Sequence, residues 1–97
     1  MRYLGIHENT GWPSFEISAK AYQERKAKWC EVVGWATGDA HVKHADWRAI
    51  LDYVKDSPHA YTTGKGKGWE VVCYLADGTL AFAGCIETHG EGIRIGN

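Results

Sequence analysis

The stretch WEVVCYLADGTLAFAGCIE, residues 69–87, constrains the fold more than any other part of the chain. Apolar residues alternate on both sides of Asp77-Gly78, the strongest short-range signal for a β-hairpin. A two-residue loop at 77–78 predicts that Ala76 faces Thr79, Tyr74 faces Ala81, Val72 faces Ala83 and Glu70 faces Cys85. One face then carries Trp69, Val71, Cys73, Leu75, Leu80, Phe82 and Ile86, which is a core face. The other carries Glu70, Val72, Tyr74, Ala76, Thr79, Ala81, Ala83, Cys85 and Glu87. Cys73 and Cys85 fall on opposite faces, so they are not expected to form a disulfide in this hairpin.

Around this hairpin the pattern predicts two helices and two further strands. Residues 1–8, MRYLGIHE, alternate and read as a strand with Leu4 and Ile6 on one face; Gly11 and Pro13 then turn the chain. Residues 15–22, FEISAKAY, fit both a strand and a helical face. QERKAKWC favours helix by propensity, which predicts strand or loop first and then a helix from about 18 to 33. A second helix starts at Asp46, read as its N-cap, with Trp47, Ile50, Leu51 and Val54 as one apolar stripe. Asp56-Ser57-Pro58 ends it, and GIRIGN extends the sheet through Ile93 and Ile95. The expected fold is α+β: one compact domain over 1–97, with a small antiparallel sheet centred on the 69–87 hairpin and two packed helices.

Composition narrows the classes of function. The 97 residues suit a single core, and 44% hydrophobic with 24% charged is an ordinary globular balance. The formal net charge of −1 supplies no global basic field of the kind nucleic-acid binders carry. Charge is uneven, however: residues 69–97 set Arg94 alone against Glu70, Asp77, Glu87 and Glu91. Three cysteines, Cys30, Cys73 and Cys85, match neither a disulfide framework nor a zinc finger. Without an apolar run for a signal peptide or a membrane span, a reducing, cytoplasmic setting is the simplest expectation.

Each motif that could carry chemistry has a plainer reading beside it. Gly64-Lys65-Gly66-Lys67-Gly68 lacks the GxxxxGK[ST] order of a phosphate-binding loop, and a strand rather than a helix follows it. It reads as a mobile basic connector, with an anion-contacting loop as the alternative. His41 and His44 would share a helical face and could bind a metal, yet HxxH alone is a weak signal and the segment reads as a polar loop. No metal site or cofactor is therefore expected. No nucleophile elbow frames a serine, and the carboxylates are scattered.

The second face of the hairpin is too apolar for free solvation. Val72, Tyr74, Ala81, Ala83 and Cys85 lie between Glu70 and Glu87, so either the first helix covers them or they form a protein-binding patch. Trp12 in its turn and Trp35 between two glycines are further candidate anchors. The expected partner-binding set is Tyr74, Val72, Trp12, Trp35, Glu70, Glu87, Lys65 and Lys67. The expected function is a small non-enzymatic interaction module, one that inhibits a larger intracellular protein or complex. Accessory proteins of phages and mobile elements that block host defence share this size and composition. The alternative is a small nucleic-acid-binding protein or toxin-type ribonuclease using His59, Tyr61, Lys65, Lys67 and His89.

Overall fold

The computed structural model describes residues 1–25, 31–33, 45–64, 66–89 and 92–96. It contains strands β1 (Arg2–Ile6), β2 (Pro13–Glu16), β3 (Glu31–Val33), β4 (Ala60–Thr62), β5 (Gly66–Tyr74), β6 (Leu80–His89) and β7 (Gly92–Gly96). Its helices are α1 (Ala19–Arg25) and α2 (Ala45–Val54). The strands form one sheet in the order β1-β2-β5-β6-β7-β3, with β4 beside β5.

The expected α+β arrangement is overturned. The sheet is not a small antiparallel platform under two helices: it makes up most of the fold, is mixed, and curls into a half-barrel. The mixed character comes from β2, which runs parallel to β5 with Ser14 opposite Val72 and Phe15 opposite Cys73. Strand β5 is the spine. One edge pairs with β6 along its whole length. Its other edge is divided between β4 at Lys67–Trp69 and β2 at Val72–Tyr74.

Two expected spans change accordingly. The helix expected to reach residue 33 ends at Arg25, and Glu31–Val33 pairs instead with β7. Two β-branched valines suit a strand once an edge is available, and only the tertiary fold supplies that edge. The glycine-lysine connector also changes: Gly66, Lys67 and Gly68 already belong to β5, opposite His89, Thr88 and Glu87.

The hairpin register stands as expected from Glu70–Cys85 to Val72–Ala83, but its tip differs. Gly78 N–H donates to the Leu75 carbonyl and Leu75 N–H to the Thr79 carbonyl, both at 2.9 Å, so three residues form the loop. Gly78 closes it at φ 86°, a left-handed conformation that glycine adopts without a Cβ clash. Tyr74 therefore faces Leu80, and a bulge after Cys73 restores the original register. The one-residue slip turns Leu80 out of the core, to 56% exposure, and lets Ala81 pack against it.

The core lies on the inner face of the sheet. Trp69, Val71, Cys73, Phe82, Ile86, Ile93 and Ile95 meet Phe15, Ile17 and Ala21 there. The α2 stripe of Trp47, Ile50, Leu51 and Val54 joins the same cluster, as its spacing predicts. Burying each large apolar side chain contributes about 1.5–3 kcal/mol. Trp47 is fully buried, edge-on to Phe82 at 5.9 Å, and its indole N–H has no hydrogen-bond partner among the described residues.

Asp46, expected to cap α2, lies instead within its first turn, because the helix starts at Ala45, and its carboxylate ties α2 to α1. Ser18 caps α1, its hydroxyl accepting from Ala21 N–H at 3.1 Å, and Ser18 N–H donates to Asp46 Oδ2 at 2.7 Å. Asp46 Oδ1 also lies 3.7 Å from the Met1 amine. Burial is the largest influence on this carboxyl and raises its pKa, but the Ser18 bonds and the amine together outweigh it. The folded value is thus below the ordinary 3.8.

Two outcomes follow for stability. In urea unfolding Trp47→Ala costs about 3–5 kcal/mol, whereas Trp47→Phe costs far less, because no hydrogen bond is lost. A group with a depressed folded pKa stabilises above its unfolded value and loses that contribution as pH falls through the folded one. Thermal stability therefore drops as the pH is lowered below 3.8, and Asp46→Asn shallows that acid limb.

Candidate functional site

Alternation along β5 places Gly68, Glu70, Val72 and Tyr74 on the face away from the core. Strand β6 sets Glu87 opposite Gly68, Cys85 opposite Glu70 and Ala83 opposite Val72. Leu80, displaced by the bulge, joins this outer face beside Tyr74. From the other side β4 brings Tyr61 opposite Gly68. A methyl group on Gly68 would overlap the Tyr61 ring, so the glycine is what lets the ring lie across the strand. This close approach, rather than loop flexibility, accounts for glycine at position 68.

The Tyr61 hydroxyl donates to Glu87 Oε1 at 3.4 Å. Burial, then the Cys85 thiol and the Glu87 carboxylate beside it, push the phenol pKa well above its ordinary value. Tyr61 therefore stays protonated and serves as a donor rather than a base. Cys85 is half-buried and free. On the inner face Cys73 is fully buried, and burial, followed by the charge of Asp46, pushes its thiol up. The two cysteines stand on opposite faces, as the register predicts.

The expected binding residues divide. Tyr74, Glu70 and Glu87 share the outer face and are each half-buried. The Tyr74 ring lies 6.5 Å from that of His7, nearly parallel to it. Val72 shares the face but is only 1% exposed, so it lies beneath the surface that Tyr74, Glu70 and Glu87 reach. Trp12 is half-buried at the end of the β1–β2 turn, where its carbonyl accepts from His7 N–H at 2.7 Å and its N–H donates to Thr10 Oγ1 at 3.1 Å. Lys67 is exposed but alternates out of phase with Glu70, and so does not join the acidic rim. Trp35, Lys65, His41, His44 and Cys30 lie outside the described residues. Among the described residues no group of three His, Cys, Asp or Glu side chains could hold a metal ion.

Of the residues in the ribonuclease alternative, Lys67 is exposed on β5, while Lys65 and the His89 side chain lie outside the described residues. His59 lines a groove beside β1, while Tyr61 lies over Gly68 on the outer face. Sequence reasoning missed Leu80 as a surface residue and Tyr61 as part of this face. The alternate glycines at 66 and 68 were the available signal, since each marks a place where another chain segment comes close.

A second apolar region surrounds β1, the edge strand. Tyr3 is 37% exposed, Leu4 43%, Ile6 63% and, on α2, Tyr53 53%. Tyr3 and Tyr53 stack with centroids 4.4 Å apart, and both approach Phe15 at 5.5 Å. A bulge between Tyr3 and Gly5 interrupts the strand, with Gly5 at φ 105°. Such a kink discourages regular pairing with another strand at this edge.

The chain matches no protein-family model, no curated protein and no solved structure. No helix among the described residues is long and apolar enough to cross a membrane.

The cover over Cys85 is open to a direct check. In Gly68→Ala the new methyl displaces the Tyr61 ring, so native-state alkylation of Cys85 by iodoacetamide, mapped by mass spectrometry, accelerates. Cys73 stays unmodified in both proteins until they unfold. An unchanged Cys85 rate would show that the ring does not shield the thiol.

Proposed function

We propose that the protein is a non-enzymatic interaction module whose outer sheet face binds, and thereby blocks, a basic surface on a larger intracellular protein. The observation that carries this reading is Leu80, 56% exposed beside Tyr74 on a strand whose inner face is closed. Leu80, Tyr74 and the small Ala83 form a patch at the hairpin end of this face, and Glu70 and Glu87, with Tyr61 beside them, border it on the side away from the loop. Apolar and aromatic residues at the centre with charge at the margin are the anatomy of a protein-binding surface. Glu70 gives this border its negative charge, with Glu87 standing opposite Arg94 on β7, and a basic partner surface complements it. Free cysteines fit a reducing compartment, and the size and composition fit the accessory proteins of phages and mobile elements.

A tagged chain tests this in a pull-down from native lysate, with and without nuclease, read by mass spectrometry. A stoichiometric protein partner that survives nuclease is expected. Tyr74→Ala and Leu80→Asp should each weaken its capture by roughly thirtyfold, equivalent to about 2 kcal/mol, with the circular dichroism spectrum unchanged. Capture of RNA, or of partners that vanish with nuclease, overturns the reading.

A further inference from the structure

The groove between β1 and the end of α2 has a volume of about 260 Å³. That is below the roughly 300–1,000 Å³ of sites that take drug-sized molecules, and it suits one side chain. Tyr3, Ile6, Tyr53 and Pro58 give it apolar and aromatic walls. Tyr53 is stacked against Tyr3 yet 53% exposed, so much of its ring surface faces solvent. Among the described lining residues Asp56 is the only carboxylate, His59 is the only basic side chain, and none is Lys or Arg. Asp56 forms no ion pair among the described residues. Asp52, one helical turn earlier on α2, adds a second exposed negative charge, and the exposed Lys55 between them offsets one of the two.

We propose that this groove takes an arginine side chain presented by the protein partner. This rests on the interaction-module reading and adds a second contact to the one on the outer face. A planar guanidinium stacks on an open tyrosine ring while its N–H fork meets a carboxylate. An apolar side chain would fill the same space but leave the exposed Asp56 carboxylate without a partner. Lysine brings the charge without the planar stack, and its ammonium is more strongly hydrated. Charge complementarity and the aromatic wall together therefore select arginine.

The probes are three blocked tripeptides, acetyl-Gly-X-Gly-amide, with X as arginine, lysine or citrulline, the last a neutral isostere of arginine. Each is titrated into the ¹⁵N-labelled protein at low salt. The arginine peptide is expected to give saturable shifts at Tyr3, Ile6, Tyr53 and Asp56. The lysine peptide should bind about threefold more weakly, and citrulline about tenfold more weakly. In Asp56→Asn the preference for arginine over citrulline disappears, and Tyr53→Ala loses saturable binding of all three. Both side chains are exposed, so both variants keep the fold.

Equal binding of citrulline and arginine, or shifts confined to the outer face, overturns the proposal. Pull-down with the same variants separates the two readings. A partner captured equally by wild type and Asp56→Asn overturns the groove and leaves the interaction module standing. Arginine-peptide binding without any captured protein supports the groove's chemistry and overturns the module.

Discussion

Burial of Trp69, Val71 and Cys73 against the α2 stripe decides which way strand β5 faces, and the other elements take their positions from that strand. Because side chains alternate, closing the inner face commits Gly68, Glu70, Val72 and Tyr74 to the outer one. Strand β6 inherits the same commitment through its register, and β7 follows with Ile93 and Ile95 inward. Strands β2 and β4 then share the remaining edge of β5. A slip of one residue in β5 would invert both faces at once, so the core and the proposed contact surface are two consequences of one register.

That shared dependence shows most clearly at the hairpin tip. The hydrophobic pattern sets the pairing from Gly66 to Cys73, and the glycine at 78 sets a three-residue loop. The two demands differ by one residue, and the bulge opposite Cys73–Tyr74 absorbs the difference. Its cost is the exposure of Leu80; its consequence is an apolar anchor on the face where Tyr74 already stands. Bulges often re-aim a side chain in this way next to functional sites.

The two proposed contact regions have different physical characters. The outer face is broad, and its donor, the Tyr61 phenol, is held by Glu87 and kept protonated. The β1–α2 groove is narrow, and its carboxylate is unpaired among the described residues. Both place a carboxylate beside aromatic rings, the feature on which the proposed basic partner rests. The bulged β1 edge guards against open-ended strand addition, which leaves side-chain recognition as the mode suited to this end of the sheet.

What the sequence by itself determined is whatever local periodicity encodes. The alternation around Asp77-Gly78 yields the inner and outer faces of β5 and the separation of Cys73 from Cys85. The 3.6-residue spacing of Trp47, Ile50, Leu51 and Val54 yields α2, and the alternation of Ile93 and Ile95 yields β7. The outer-face positions of Tyr74, Glu70 and Glu87 were legible for the same reason. Tertiary structure alone decided the parallel pairing of β2 with β5, the strand at Glu31–Val33, the place of β4 and the burial of Val72. It also turned Leu80 outward, brought Tyr61 over Gly68 and set Tyr3 against Tyr53. Each of these depends on which distant segment supplies a hydrogen-bonding edge or a packing surface, and a local pattern of side chains carries no record of that choice.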